Sequence, residues 1–306
     1  MVKKLFLFRY NKFKLTIKLL GNSMEKVEKY NIEYEKPKVT LLQQSGLGVA
    51  EIAARTCYDS FENSENECVK NAMNKLDVDA VNNIEESELL SNLAWVHHHH
   101  SIIEHATVSF LVEGISRGVL QEHARHRLQA ISVRSTRYTM SSVINAFVAS
   151  LESGVETSEA FEFFLRELLA LNLFVITSEE YLAIEIRSIY DKLVFQYKRD
   201  EGFLVNAVAK SSLPFIEEFK GDSKKLFEAL ENGKKKRNVG DAFKHIVSDN
   251  WKVDMVITFN IRSLKNYFDL RDSGAAWFQI QWLAQEMKKV TPLKYLRLIS
   301  KKHRKN

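Results

Sequence analysis

Arginine and histidine crowd into one short part of the chain. Of the 15 arginines, five lie between Arg117 and Arg137, a span without a single lysine although the chain carries 29. A planar guanidinium binds phosphate or carboxylate through two parallel hydrogen bonds and keeps its proton, whereas an ammonium is a flexible point charge. That preference implies an oxyanion held in a defined orientation. Seven of the nine histidines also fall between His97 and His126. The candidate active site is therefore placed here.

Competing chemistries are weighed against the same residues. His97 to His100, read on a helix, point in four directions, and at most His97 with His100, or His97 with Glu104, share a face; no metal site is expected. Arg125-His126-Arg127 as a nucleic-acid stripe lacks interleaved aromatics, and its neighbours are apolar. Cys57 and Cys68 are too few for a disulfide framework, show no zinc spacing, and neither neighbours a catalytic base in sequence; a reducing cytoplasm suits them. The net charge of +5 permits an anionic ligand without demanding nucleic acid.

These residues must be positioned by a frame that the rest of the sequence outlines. Eleven glycines and three prolines in 306 residues argue for long helices rather than a loop-rich sandwich. Lys38 to Gln44 reads as a strand and, after the Gly46/Gly48 turn, Val49 to Tyr58 as a helix. Residues 59–84 read as connecting structure, and Glu85 to Trp95 as a helix. Thr107 to Val112 is rich in β-branched and aromatic residues and predicts a largely buried strand. Ile115 to His126 turns helical. Between Val155 and Arg199, apolar residues such as Phe161, Phe164, Leu165, Leu168 and Leu169 recur at three- and four-residue spacing, which predicts two long helices. Gly233 to Gly240 reads as a solvated basic loop, with helix resuming near Asp241. Val253 to Asn260 is strand or buried helix, and Ala275 to Lys288 a terminal helix.

Residues 1–23 combine a basic start with apolar runs broken by Arg9, Lys12, Lys14 and Lys18. They read as a non-native or optional leader, with Met24 as the expected start, rather than as a signal peptide, a basic surface-binding arm being the alternative. No run approaches the length of a bilayer span, so no membrane partner is expected. Residues 301–306 read as a frayed basic tail.

Arg125-His126-Arg127, seven residues, then Ser135-Thr136-Arg137-Tyr138 resembles the RHR-x7-S-x-R-Y signature of the flavin-dependent thymidylate synthases, the ThyX family. Upstream, Ala53-Ala54-Arg55-Thr56-Cys57-Tyr58 resembles the family's AARxxY helix, and His99-x-Ser101-x-x-Glu104-His105 its HxTxxEH segment. Downstream, Asn260 to Arg271 is similar to its NxRSLxNFxxLR block. Three departures stand out: Glu122 occupies a position usually held by glutamine, with Gln121 one residue earlier; Ala130 and Ser132 replace a common serine and asparagine; and Ala275 stands where many members have histidine. The stretch between Tyr138 and Asn260 is about 50 residues longer than in compact members.

The resemblance implies an α+β fold with a central antiparallel sheet flanked by helices: a single catalytic domain over residues 24–300 with a helical insertion at about 145–240. It implies a cytoplasmic homotetramer with sites shared between subunits. The implied reaction is reductive methylation of dUMP to dTMP, with 5,10-methylenetetrahydrofolate and NADPH as co-substrates and FAD as cofactor. On this resemblance Arg271, Ser135 and Arg137 are catalytic. Gln121, Glu122, Arg125, Ser135, Arg137, Lys244 and Arg271 contact dUMP, Arg137 at the phosphate and Arg271 at the uracil ring. Cys57, His99, Ser101, Glu104, His126, Arg127, Asn260, Arg262 and Asn266 line the FAD and folate region. Structural alternatives stay open: Arg55 and Arg262 as buried salt-bridge partners, Asn260 and Asn266 as helix caps, Ser135 as a turn serine. Two other functions also remain: a catalytically inactive relative that senses flavin or nucleotide, and a nucleic-acid-binding module.

Overall fold

The computed structural model describes residues 36–151, 157–175, 179–199 and 244–304. The expected leader, the Gly233 to Gly240 loop and the helix start at Asp241 lie outside the described residues. The chain divides into two compact units, the first comprising residues 36–134 with 253–304 and the second the described residues from 135 to 252.

The first unit opens on β1 (Lys38–Gln44), which leads through the Gly46/Gly48 turn into helix α1 (Gly48–Tyr58). A Cβ at Gly46 would sit 2.2 Å from the Asn82 carbonyl oxygen, and one at Gly48 2.5 Å from that of Val81, so both positions require glycine. Those carbonyls belong to the segment expected to be mere connection. It instead holds two short helices, α2 (Glu67–Lys70) and α3 (Val78–Asn82), before α4 (Glu88–Trp95).

Strand β2 (Thr107–Ser116) follows, then α5 (Arg117–His123) and the short β3 (Gln129–Val133), which the sequence reading did not foresee. Residues from 135 to 252 form the second unit: α6 (Thr136–Ser150), α7 (Ser158–Ala170) and α8 (Glu179–Arg199). β4 (Lys252–Asn260) returns the chain to the first unit, followed by α9 (Ile261–Arg271), α10 (Phe278–Val290) and α11 (Leu293–Ile299).

The sheet order is β1-β2-β4-β3. Both edge pairs are antiparallel. The central pair is antiparallel too, because Ser109 meets Thr258 while Gly114, further along β2, meets Asp254, earlier along β4. Alternation then places Val39 and Leu41 beside Val112 and Phe110 on one face, with Met255, Ile257 and Phe259 on β4. This face packs with Leu264, Tyr267 and Phe268 of α9 and Ile280, Leu283 and Met287 of α10 into one buried core. The expected α+β architecture with a central antiparallel sheet is what the first unit shows.

In the second unit the two long helices expected between Val155 and Arg199 are α7 and α8, joined by the unforeseen α6. Met140, Ile144 and Phe147 of α6 meet Phe161, Phe164 and Leu168 of α7 and Ile186, Tyr190 and Leu193 of α8 in a separate core closed by Trp251. Thr157 caps α7 by accepting from the Ala160 amide at 3.0 Å. After the undescribed stretch, only a 3-10 turn at Lys244–Ile246 precedes β4.

Of the basic tail, Lys301–His303 form a 3-10 turn, and the Arg304 guanidinium lies 5.5 Å from the Trp95 ring. No helix among the described residues is long and apolar enough to cross a membrane.

Candidate active site

The Arg125-His126-Arg127 run lies not on a helix but on the turn after it. The sequence reading extended the helix to His126, yet α5 stops at His123. Two tight turns follow, Arg125 N–H to Glu122 O (3.3 Å) and His126 N–H to His123 O (3.0 Å), and the chain then enters β3. Ser116 starts α5 by accepting from the Val119 amide at 3.2 Å, and its buried hydroxyl donates to Gln279 of α10 at 2.6 Å. α9 is started by Asn260, whose side-chain oxygen accepts from the Ser263 amide at 2.7 Å. Its last residue, Arg271, meets the α5 turn.

Arg271 is clamped there by three acceptors. Nε–H donates to His126 Nε2 (2.9 Å), Nη1 to the Glu122 carboxylate (2.9 Å) and Nη2 to the Glu122 carbonyl (3.2 Å). A ring nitrogen that accepts carries no proton, so His126 is neutral with its hydrogen on Nδ1. Burial and the nearby Arg271 charge both push its pKa down. Each Nη of Arg271 has a second N–H beyond the clamp, because a guanidinium carries five. Arg271 lines a pocket of about 620 Å³ with Arg125, His126, Arg127, Arg262, Asn266, Ser263, Leu128 and Leu270. Four guanidiniums and no carboxylate stand among these lining residues, although Arg271 and Arg262 are each paired with a carboxylate, of Glu122 and of Glu104.

The sequence matches the family described as "Thymidylate synthase complementing protein" over residues 40–293. The chain belongs to this family. Similar curated proteins are the flavin-dependent thymidylate synthases of Wolinella succinogenes, 27% identical over 258 residues (83% of this chain, 93% of that protein), and of Helicobacter pylori strain 26695, 28% identical over 245 residues (79% and 86%). A crystal structure of Helicobacter pylori ThyX with FAD and dUMP superposes with a TM-score of 0.53 at 24% identity, covering 88% of this chain and all of that one, a likeness of fold.

Within this family member, the structure gathers Arg125, His126, Arg127, Arg262, Asn266 and Arg271 around one pocket. Glu122 faces Arg271 from behind it, and Gln121 is exposed on α5. Asn260 serves as the helix cap foreseen as its structural alternative. Arg262 pairs with Glu104 in an exposed ion pair, so it is not the buried partner allowed for, whereas Arg55 does pair with buried Glu51 at 3.6 Å. Cys57, His99 and Ser101 are exposed in the first unit. Ser135, Arg137 and Lys244 belong to the second unit, where Ser135 Oγ accepts from the Arg137 amide at 3.4 Å as a turn serine does. The four consecutive histidines follow the end of α4 instead of riding on a helix. His98 is left-handed (φ 54°), and the His97 and His99 rings lie 5.9 Å apart. Among the described residues no three metal-binding side chains converge.

Sequence reasoning missed His123, Gln129 and Tyr267, which lie beneath the Arg271 clamp. His123 is fully buried; Nε2 bonds Gln129 Oε1 at 2.8 Å and Nδ1 bonds the Tyr267 hydroxyl at 3.2 Å. Oε1 only accepts, so His123 donates from Nε2 and accepts from Tyr267. The available signal was the Tyr267 departure from the family's phenylalanine.

Burial pushes the His123 pKa down to about 4 from 6.5, outweighing the Gln129 bond. Between these values the unfolded chain takes up a proton that the folded protein refuses. Stability is therefore full above pH 6.5 and is lost as pH falls towards 4, with a slope of at most about 1.4 kcal/mol per pH unit from this group. The melting temperature of wild type should fall more steeply from pH 6.5 to 4.5 than that of His123→Phe. Parallel curves would remove His123 as the source.

Proposed function

We propose that this family member is a flavin-dependent thymidylate synthase, converting dUMP to dTMP with 5,10-methylenetetrahydrofolate as carbon donor and NADPH as reductant. The observation that carries the reading is the clamped Arg271 at the rim of a pocket lined by four guanidiniums. The lining suits FAD: arginines for the pyrophosphate, Asn266 for polar ring edges, and Leu128 and Leu270 for a flat ring face. Bound there, FAD would supply the hydride chemistry that links NADPH to the transferred carbon.

The chain's own task is to make uracil C5 attack an electrophilic carbon. Arg271 offers its two outward N–H groups to a uracil carbonyl and stabilises the negative charge that builds there. Glu122 and His126 hold the guanidinium plane, so it need not reorganise as that charge develops. Arg125, Arg127 and Arg262 bind phosphate oxygens, and Asn266 orients the ring. Ser135, Arg137 and Lys244, carried over from the family pattern, bind dUMP from a neighbouring subunit of a homotetramer, with Arg137 on the phosphate. Gln121 borders the nucleotide on the same ground. Cys57, His99, Ser101 and Glu104 border the flavin and folate, and no cysteine attacks the base.

The purified protein is expected to be yellow, to release FAD on denaturation, and to oxidise NADPH faster when dUMP is present, with dTMP formed in the presence of the folate. A colourless protein that does not take up added FAD would reject the reading. Binding of FAD and dUMP without dTMP would favour the inactive relative instead.

A further inference from the structure

Beneath the Arg271 clamp runs a second layer of hydrogen bonds from Gln129 through His123 to Tyr267. His123 and Tyr267 are both fully buried. The His123 ring meets Tyr267 edge-on at 5.1 Å and Phe259 at 5.8 Å, and Gln129 returns a bond from Nε2 to the His123 carbonyl at 3.1 Å. Burial raises the Tyr267 pKa, so the hydroxyl keeps its proton and acts as donor.

The two layers join the same elements. Tyr267 and Arg271 stand four residues apart on one face of α9. Glu122, His123 and His126 belong to the end of α5 and its turn. The His126 ring rests against Tyr267 at 4.7 Å, at an interplanar angle of 67°. This contact limits rotation of the imidazole whose Nε2 receives Arg271 Nε. Buried polar groups in an otherwise apolar core are costly unless every partner is present, and when satisfied they select one arrangement. Phenylalanine, which the family pattern carries at the Tyr267 position, would pack here without such a requirement.

We propose that His123 and Tyr267 are positioning residues that, through His126, fix the orientation in which Arg271 meets the nucleotide. Gln129 completes the chain by holding His123 in the tautomer that accepts from Tyr267. The inference rests on the assignment of Arg271 as a dUMP ligand.

The test is a cycle of His123→Phe, Tyr267→Phe and the double variant in the full-length, FAD-loaded protein, reading the dUMP dissociation constant and the melting temperature of each. Each single variant should weaken dUMP binding by about tenfold, because Arg271 is then no longer held in one orientation before dUMP arrives, and the double variant by less than the product of the two. FAD retention should stay within about twofold of wild type. Lower melting temperatures with dUMP binding unchanged would reduce the chain to a structural brace and overturn the proposal, as would strictly multiplicative effects. If His123→Phe does not fold, Tyr267→Phe and Gln129→Leu carry the same comparison. Arg271→Ala, measured in parallel, separates the two levels. Unchanged dUMP binding in that variant would defeat the assignment of Arg271 itself, whereas weakened binding there and none in the other variants would defeat only the positioning role.

Discussion

Arg271→Ala is expected to lower dTMP formation by about 100- to 1000-fold, the cost of removing one oriented donor from a developing oxyanion. The substitution also strands two groups. Glu122 loses the cation that its carboxylate and carbonyl receive, and His126 loses the donor to Nε2. With the Glu122 side chain 33% exposed, water can solvate the carboxylate, so the fold should survive and the loss should appear in chemistry and dUMP binding. Arg271→Lys discriminates charge from geometry: a single ammonium keeps the charge but cannot match the fork that reaches Glu122 twice and His126 once. Its activity should fall well below wild type while staying above the alanine variant. Single-turnover dTMP yield, with the melting temperature as control, gives the answer. A loss of less than about tenfold in Arg271→Ala would remove the residue from the chemical step.

The largest expected effect on stability is at Glu51→Ala, far along the sequence from the residues that line the Arg271 pocket. Glu51 is only 2% exposed, yet its carboxylate accepts from Ser64 Oγ (2.6 Å) and Asn66 Nδ2 (2.9 Å) and faces Arg55 Nη2 at 3.6 Å. The Arg55 side chain is 11% exposed, and its Nε has no hydrogen-bond partner. Removing the carboxylate leaves this largely covered cation without its ion-pair partner, with the Asn63 carbonyl still accepting from Nη2 at 2.9 Å. The loss should approach the roughly 3 to 5 kcal/mol typical of a broken buried pair. At roughly 2 to 4 °C per kcal/mol for a unit of this size, the melting temperature should drop by about 10 °C. Glu51→Gln, which keeps the acceptor for Ser64, should lose less. A shift below about 2 °C in Glu51→Ala would mean that Arg55 finds solvent when its partner is gone.

Much of the frame was legible because its signals are local. The β-branched and aromatic run in β2 marks a largely buried strand and the three- and four-residue spacing in α7 one buried face, and both elements form where those patterns lie. β3 escaped notice because it is five residues long and mostly exposed at the sheet edge, so neither length nor hydrophobic contrast marks it. α6 begins inside the Ser135-x-Arg137-Tyr138 signature, whose polar residues have a functional reading of their own, and only behind it does the apolar spacing of Met140, Val143, Ile144 and Phe147 start.

The arginine bias, the absence of a paired-cysteine or metal pattern, and the ordered motifs were enough by themselves to point to an oriented anion and to one family, because side-chain chemistry and spacing are written in the chain. What each residue does to its neighbours was not. Arg271 meets Glu122 and His126 across about 145 to 149 positions, and Tyr267 meets His123 across 144. The tertiary structure alone decided that Glu122 faces a guanidinium and that a lone histidine in α5 is neutral and buried. The physical reason is that local propensity acts over a few residues, whereas desolvation and hydrogen-bond satisfaction depend on which distant groups the closed core brings within about 3 Å.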